Sequence, residues 1–362
     1  MRFAAEQQGL AEALATAQRA VGSRSASGAM SGLRVRTAGD SVEITGTNLD
    51  LTISATTPAT VRDEGAFVAP ARLLTDIVRA MEPGRIEVSL AAELINIHGG
   101  RSAFEVPTIA AEEFPNISLP VGEPATCSAK DLAAALRQVV PSASHDELRQ
   151  VLTGVLFERS EAGLRLVATD SYRLAVRDVD ALVLPGGADK VLMSSKALAE
   201  LLRVLGSGET VELLLGEREV CFTVGGVVVA SRLIDGEFPN YRQLLPQSYP
   251  NVLAAKKDAI LGALRRLKPV AENTPIKLVL DNAATRLEVA SPDRGRADEE
   301  IEASYQGATL KVAFNPEYLA AGVDAVDGDD VLLETIDPLK PAVIRAPLSS
   351  EFQYLLMPVR VS

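Results

Sequence analysis

The chain has 362 residues, a formal net charge of −12, 47 % hydrophobic residues and 23 % charged residues. This composition is typical of a soluble globular protein with ample core, and the length favours two or three domains. No stretch approaches the roughly 20 apolar residues of a helical membrane span. With only two cysteines and a charged N-terminal run, we expect no disulfide framework, no signal peptide and a cytoplasmic location.

Six segments are predicted to be helices, and they come in three pairs along the chain. The first helix of the chain carries Leu10 and Leu14 four positions apart, so both lie on one face. Ser194 and the Asn315-Pro316 pair are typical of helix starts. The predicted helices are 2–22, 70–83, 128–141, 194–206, 256–268 and 315–326.

Alternation of apolar and polar residues predicts strands between and after these helices. The predicted strands are 33–36, 42–45, 85–90, 94–97, 155–158, 164–169, 210–215, 219–224, 276–280, 287–289, 331–335 and 342–346. The glycine pairs in 98–101 and 225–226 are interpreted as turns between strands and not as phosphate loops. Strands with one polar side, together with two helices per set, favour an α+β fold of antiparallel sheets covered by helices.

The order of elements repeats three times. The segment Glu113–Asn116 recurs as Glu237–Asn240, and Thr47, Thr169 and Ser291 follow one another at intervals of 122 positions. A period of this length matches a whole domain and not a solenoid unit. Short proline-rich segments at 120–124 and 246–250 are predicted linkers. We therefore predict domains at 1–120, 121–248 and 249–362.

Positive charge is concentrated in the predicted helices. Together they carry a net charge of +4, which leaves −16 for the rest of the chain. A nucleic acid meets a local surface and not the sum of charges, so a helix-lined face could attract phosphates on an acidic protein. A chance imbalance of a few charges is the alternative interpretation, and composition alone leaves both open.

Residues typical of catalytic sites are scarce. The chain has two histidines and no CxxC, HExxH, GxGxxG or Walker-type motif. Asp170 with His145 would suit a hydrolase or transferase, but no nucleophile elbow surrounds Ser171, which we align with Asn48 of the first repeat. We expect no enzymatic activity, no cofactor and no metal. A scaffold that binds only proteins remains a third hypothesis.

The C-terminal segment Tyr354–Val359 is unusually apolar for a chain end. One interpretation is a final edge strand packed on its own core. The other is that Leu355, Met357 and Val359, which share one face of a strand, line an apolar groove. The residues leave both interpretations open.

Three segments together resemble the bacterial β sliding clamp family, the processivity subunits of the replicative DNA polymerase. They are Val167–Val176, Gly236–Tyr241 and Tyr354–Arg360, and the resemblance covers essentially the whole chain. It implies three similar DNA-clamp domains per chain, each with two helices on antiparallel sheets. It further implies that two chains close head to tail into a ring of six domains around double-stranded DNA, with helices lining the hole.

A ring that slides needs sequence-independent attraction to phosphates and no base readout. On this resemblance, our candidates for DNA contacts are cations expected on helix faces: Arg24, Arg72, Arg79, Arg137, Arg149, Lys196 and Arg203. For each of them, a solvated surface charge is the alternative.

The resemblance also implies an apolar pocket between the second and third domains. It would take short linear motifs from replicative polymerase subunits, the clamp loader and repair proteins. By motif position, its members are Leu152, Thr169, Tyr172, Arg173, Leu174, Pro239, Gln243, Leu244, Pro341, Leu355, Met357, Pro358, Val359 and Arg360. The family often has Gly-His where Ser171-Tyr172 stands and a basic residue at Gln243, and Val361-Ser362 extend past its usual end. We expect these differences to alter the preferred motif, with Tyr172 narrowing one subsite.

Overall fold

The computed structural model describes residues 1–22, 28–161, 163–180, 182–245, 248–272 and 274–360. The first repeat contains β1 (Arg2–Glu6), α1 (Gln7–Gln18), β2 (Gly32–Ala38), β3 (Ser41–Thr47), β4 (Leu51–Asp63), β5 (Ala66–Pro70), α2 (Ala71–Ala80), β6 (Arg85–Ala91), β7 (Leu94–Gly99) and β8 (Ser102–Pro107). The second contains β9 (Ala125–Ser128), α3 (Ala129–Val139), β10 (Gly154–Arg159), β11 (Gly163–Thr169), β12 (Arg173–Asp180), β13 (Lys190–Ser194), α4 (Ser195–Val204), β14 (Thr210–Leu215), β15 (Glu219–Val224) and β16 (Val227–Arg232). The third contains β17 (Asn251–Lys256), α5 (Lys257–Leu267), β18 (Ile276–Leu280), β19 (Thr285–Ser291), β20 (Gly295–Ile301), β21 (Ala303–Gln306), β22 (Leu310–Phe314), α6 (Pro316–Ala325), β23 (Asp330–Thr335), β24 (Ala342–Arg345) and β25 (Phe352–Leu356).

All six predicted helices are present, but the first begins later than predicted. Residues 2–6 form β1, which pairs antiparallel with both β4 and β6, so the expected helix 2–22 is wrong over its first turns. A strand likewise precedes α3 and α5. Strand β1 lies inside the predicted helix, whereas β9 and β17 end at the first residue of theirs, Ser128 and Lys256. No glycine or proline separates strand from helix at these three places, so the sequence gives no signal for the boundary.

Local signals at turns and caps match the structure well. Asn315 accepts hydrogen bonds at Oδ1 from the backbone N–H groups of Glu317 (2.9 Å) and Tyr318 (3.2 Å), and Pro316 occupies the first turn of α6. Gly225 and Gly226 connect β15 to β16 with φ of 55° and 79°, a conformation that disfavours side chains. The interpretation of 225–226 as a strand-connecting turn is confirmed.

The chain divides into two compact units, which we describe separately. The first comprises Met1–Lys130, Leu184–Ala188 and Lys196–Leu233. Its sheet of 12 strands runs in the order β8-β7-β6-β1-β4-β16-β15-β14-β9, with β2, β3 and β5 branching from β4. Helices α1 and α2 cover this sheet, and Leu10, Leu14, Leu74 and Val78 lie in its core. The apolar stripes of both helices therefore face one buried layer.

The second unit comprises Asp131–Val183, Asp189–Ser195 and Ile234–Ser362. Its sheet of nine strands runs β13-β10-β11-β12-β25-β24-β23-β17-β21, and a separate sheet of four strands runs β20-β19-β18-β22. The last strand, β25, lies between β12 and β24. The expectation of a final edge strand is therefore wrong, because its partner β12 lies about 180 residues earlier and leaves no mark on the local sequence.

Pairing between repeats follows one rule. The strand that ends the second repeat, β16, pairs with β4 of the first, and the strand that ends the third, β25, pairs with β12 of the second. Strands β4, β12 and β20 hold the same place in the order of elements, as do β8, β16 and β25. The rule leaves β20 and β8 at the ends of their sheets in the described part of the chain.

Gly322 of α6 offers a test of packing in the second unit. A Cβ atom at this position would meet the ring of Tyr354 more closely than real Cβ atoms approach any neighbour. We expect Gly322→Ala to lower the free energy of unfolding by about 1–3 kcal/mol, because overpacking outweighs the better helix propensity of alanine. Thermal denaturation measures the change. Gly206→Ala, where the added methyl meets nothing within 4 Å, is the matched control and should be neutral or stabilising.

Candidate functional site

The chain end extends the pairing of β12 with β25 beyond the strands themselves. Leu174 is paired with Leu355, and Arg173 with Leu356. After β25, the Met357 N–H donates to the Tyr172 carbonyl at 2.9 Å, and the Val359 N–H donates to the Ala313 carbonyl at 2.8 Å. The tail is thereby held beside the loop that precedes β12.

A buried apolar cluster forms a floor beneath this tail. Leu174 and Leu355 are 1 % and 2 % exposed, and they pack in one cluster with Val176, Val343 and Tyr241. Further members at the edge of the cluster are Val151, Ile234, Phe238, Leu245 and Tyr249. These residues come from the second and third repeats and from the segment between them.

Three exposed apolar side chains are chain neighbours of residues at the edge of the floor or in the paired strands β12 and β25. Met357 is 37 % exposed, Leu244 48 % and Tyr172 61 %. Large apolar side chains that remain in water beside a packed cluster are typical of interaction sites on proteins. We call the floor residues Leu174 and Leu355 with the rim residues Tyr172, Leu244 and Met357 the apolar pocket.

Hydrogen bonds from side chains to backbone fix the loop that carries Tyr172. Asp170 Oδ1 accepts from the N–H groups of Tyr172 (2.9 Å) and Arg173 (3.0 Å). Thr169 Oγ1 donates to the Arg173 carbonyl at 2.7 Å and accepts from the Ser171 N–H at 3.1 Å. Ser171 has a φ of 81°, a left-handed conformation that is unfavourable for most residues other than glycine. The side-chain hydrogen bonds of Thr169 and Asp170 hold this loop in place, so Ser171 keeps the left-handed conformation without being a glycine.

The first repeat contains the same turn. Thr47 Oγ1 accepts from the Leu49 N–H and donates to the Leu51 carbonyl, while Asn48 Oδ1 accepts from the Leu51 N–H. Leu49 has a φ of 77°, close to that of Ser171. Ser171 therefore corresponds to Leu49, and its predicted alignment with Asn48 is off by one position.

Arg173 is held by contacts inside the second unit and is not a free side chain at the pocket rim. Its Nε donates to Asp170 Oδ2 at 2.9 Å, and its guanidinium lies 4.4 Å from the centre of the Tyr318 ring. The two charged side chains are only 12 % and 11 % exposed. Burial lowers the pKa of Arg173, but Tyr354 and Asp170 outweigh it, so its pKa is raised. Burial also raises the pKa of Tyr354 to about 12.

Arg149 lies beside this loop and not on one of the six α-helices. It belongs to the 3-10 segment Glu147–Thr153, with non-helical φ and ψ of −106° and 61°. Its Nη1 donates to Ser171 Oγ at 3.0 Å, and its Nε donates to Asp146 Oδ2 at 3.0 Å. The expected place of Arg149 on a helix face is wrong. Arg149 lies three residues before Leu152, a predicted pocket residue, and this closeness in the sequence could have indicated its place beside the pocket loop.

The structure brings some of the predicted pocket residues into the floor and leaves others at the surface. Leu152 and Thr169 are buried. Pro341 and Pro358 are half-buried, and Pro239, Gln243, Val359 and Arg360 are exposed. The prediction missed Val176, which is two residues after Leu174 on the same strand face, and Val343, which is paired with Leu355. Val361 and Ser362 lie outside the described residues.

The candidate DNA contacts are mostly exposed cations. Arg72 and Arg79 lie seven residues apart on α2, Arg137 on α3, and Lys196 and Arg203 on α4; all are exposed. Arg72 is 3.7 Å from Asp76, and Arg203 is 3.6 Å from Glu200. Such pairs at the surface are weak and leave the cations able to meet a phosphate. Arg24 lies outside the described residues.

The most basic helix, α5, uses much of its charge internally. Lys257 Nζ donates to the Asp324 and Val326 carbonyls at the end of α6, and Lys256 pairs with Asp330. Arg266 is bonded to Glu299 of β20. Residues 256–268 alone carry a net charge of +4, and these internal pairs reduce what the segment offers a polyanion.

Three family models match consecutive parts of the chain. They describe the N-terminal domain (residues 1–118), the central domain (126–240) and the C-terminal domain (242–360) of the DNA polymerase III β subunit. The β sliding clamp of Streptomyces coelicolor is 30 % identical over the full length of both chains, and that of Synechococcus elongatus is 33 % identical over 88 % of each. The chain belongs to the β sliding clamp family.

Solved clamp structures have the same fold. A sliding clamp from Bartonella birtlesii bound to griselimycin superposes with a TM-score of 0.95 at 30 % identity, and one from Bacillus subtilis with 0.94 at 26 %. Both alignments cover all of each chain. The three-domain α+β clamp fold is thereby confirmed.

Membership of the clamp family establishes the function. The protein is a non-catalytic processivity factor that confers processivity on DNA polymerase III. The hydrolase hypothesis is wrong, because the chain belongs to a family of non-catalytic processivity factors. Asp170 instead accepts hydrogen bonds in the turn before β12. In the described ranges, no three potential ligands gather into a metal site. Among the helices described here, none has the length and apolarity to cross a membrane.

Proposed function

We propose that the apolar pocket of this clamp takes short linear peptides from replicative polymerase subunits, the clamp loader and repair proteins. The hydrogen bond from the Met357 N–H to the Tyr172 carbonyl carries this proposal, because it holds two exposed apolar side chains beside a buried floor. The pocket lies between the second and third domains, whose boundaries we keep at 121–248 and 249–362. The protein acts in the cytoplasm, with DNA polymerase III.

Titration of a fluorescein-labelled peptide from the tail of the host polymerase tests the pocket. We expect saturable binding with one peptide per chain. A peptide that does not bind the intact clamp at micromolar concentration would overturn the proposal.

The pairing rule between repeats supports closure as a homodimeric ring. Strand β4 takes β16, and β12 takes β25, so β20 is left to take β8 of a second chain. Both are terminal strands, and free strand edges pair readily. Two such contacts, related by a twofold axis, close a head-to-tail ring of six domains.

Sedimentation of the full chain is expected to give a dimer at micromolar concentration. Ala103 is an exposed residue of β8, and β20 carries Asp298, Glu299 and Glu300. Ala103→Glu should weaken dimerisation several-fold through like-charge repulsion across the strands, whereas Ala103→Lys should not. A chain that is monomeric throughout, or equal effects of the two variants, would contradict this interface.

The exposed helix cations are proposed to attract double-stranded DNA without reading its sequence. The slope of log affinity against log salt is negative. Removing one phosphate contact, as in Arg137→Ala, should reduce its magnitude by about 0.9 for linear duplex. Arg149→Ala should leave that slope unchanged and instead weaken peptide binding, because Arg149 supports the pocket loop through Ser171. Fluorescence anisotropy with labelled duplex and labelled peptide separates the two. An altered salt slope in Arg149→Ala would restore it as a DNA contact.

A further inference from the structure

A second concave site lies in the second unit, outside the apolar pocket. It has a volume of about 850 Å³ and is lined by charged residues of β10–β13 and by Arg242. We call it the charged cleft. None of its charged residues belongs to the proposed peptide site. The one link is Tyr241, a pocket-floor residue that bonds Glu158 of the cleft.

The inner wall of the charged cleft is saturated with internal bonds. Arg165 donates to both carboxylate oxygens of Asp178, each at 2.7 Å. Glu158 accepts from the Tyr241 hydroxyl at 2.7 Å and from Arg242 at 2.7 and 3.2 Å. The bond to Asp178 raises the pKa of Arg165, and burial, followed by Glu158, raises the pKa of Tyr241 to about 12. The carboxylates of this wall therefore have little capacity left for a ligand.

The mouth of the cleft carries the accessible cations. Arg242 is 56 % exposed and Arg159 51 % exposed, and Lys190 is also exposed. Arg159 faces Asp189 at 3.6 Å, and that carboxylate is 87 % exposed, so the pair is weak. A carboxylate entering the mouth would meet the donors of Arg159, Lys190 and Arg242, beside the exposed carboxylates of Glu161 and Asp189. Asp178 is paired with Arg165, and Glu158 accepts from the neutral Tyr241 hydroxyl and shares the Arg242 guanidinium.

One short element carries residues of both the charged cleft and the apolar pocket. The 3-10 helix Tyr241–Leu244 gives the Tyr241 ring to the pocket floor, Arg242 to the cleft and Leu244 to the pocket rim. The strands β11 and β12, which carry Arg165 and Asp178, flank the pocket loop at Thr169 and Arg173. A peptide bound in the pocket therefore has a charged surface within reach of its flank.

We propose that the charged cleft binds an acidic flank of the peptide held in the apolar pocket, with Arg242 and Lys190 as the contacting cations. This inference rests on the proposed function of the pocket. It makes the cleft a specificity site that ranks partners by the charge next to their apolar anchors. Because the contacts are exposed, the preference should fade as salt is raised.

The test uses the intact clamp and the labelled polymerase-tail peptide, extended at either end by two glutamates or by two glutamines. We expect one glutamate-extended peptide to bind wild type about fivefold more tightly than its glutamine counterpart at low salt. Arg242→Gln with Lys190→Gln should remove this difference and leave the glutamine-extended peptides unaffected. Arg62→Gln with Arg101→Gln, in the first repeat, is the matched control for net charge.

The outcomes separate this inference from the proposed function. If no peptide binds wild type, the pocket itself is wrong and the cleft inference falls with it. If peptides bind but the acidic extensions give no advantage, the cleft inference alone is overturned. Equal weakening of all peptides by the double variant would also overturn it, since the cations would then act only by supporting Tyr241.

Discussion

Replacing Arg173 by alanine should lower the free energy of unfolding by about 3 kcal/mol. The change leaves the Asp170 carboxylate, 11 % exposed, without its guanidinium partner, and it also removes the contact with the Tyr318 ring. Because Asp170 fixes the backbone of the pocket loop, the same variant should weaken peptide binding. Chemical denaturation and peptide titration measure the two effects.

Arg72→Ala is the matched control for this loss. Its carboxylate partner Asp76 lies 3.7 Å away, with the two side chains 89 % and 60 % exposed, so its removal should change stability by less than about 0.5 kcal/mol. Arg173→Lys keeps the charge but not the planar contact with Tyr318, and should fall between the two. An Arg173→Ala protein as stable as the control would show that the buried pair contributes nothing to the fold.

Truncating the pocket rim should weaken peptide binding without harming the fold. Met357→Ala with Leu244→Ala removes side chains that are 37 % and 48 % exposed, so no cavity opens in the core. We expect about 2 kcal/mol, or roughly thirtyfold, in peptide affinity, as for other anchor residues. The midpoint of thermal unfolding and the dimer should stay as in wild type.

Leu174→Ala tests a different quantity. Leu174 is 1 % exposed in the pocket floor, so its truncation should cost about 2–5 kcal/mol of stability through cavity formation, which confounds any binding result. Leu348→Ala, a fully exposed leucine outside the pocket, serves as the neutral control. If the Met357/Leu244 variant binds peptide as well as this control does, the rim assignment is wrong.

Local structure was largely predictable because its causes are local. Strands β14 and β15 have the predicted bounds, and α6 begins where Asn315 and Pro316 predict. Strand β1 was mistaken for helix because Phe3 and its alanine neighbours suit either structure; its pairing with β4 and β6 decides the matter. Tertiary context overrides propensity in such short segments.

Site residues that belong to a recognisable sequence motif could be predicted. Contacts between residues far apart in the chain could not. The resemblance supplied Leu174 and Leu355, which the structure brings into one cluster. No local pattern indicates that β25 pairs with β12, that Arg149 bonds Ser171, or that Arg173 is held under Tyr318. The first and third of these contacts join the second repeat to the third, and Arg149 reaches Ser171 across 22 positions within the second repeat.

The pairing of β4 with β16 repeats the geometry of the pocket with different side chains. Thr52 and Ala230 stand where the pocket has Leu174 and Leu355, and Arg232 stands where it has Met357. The Arg232 N–H donates to the Asp50 carbonyl at 3.0 Å, as Met357 does to Tyr172. The pairing of the first and second repeats thus has the same backbone arrangement as the pocket but lacks its apolar side chains. On the proposed function, each chain carries one peptide site and a homodimer two, so the proposed partners would compete for two sites on one clamp.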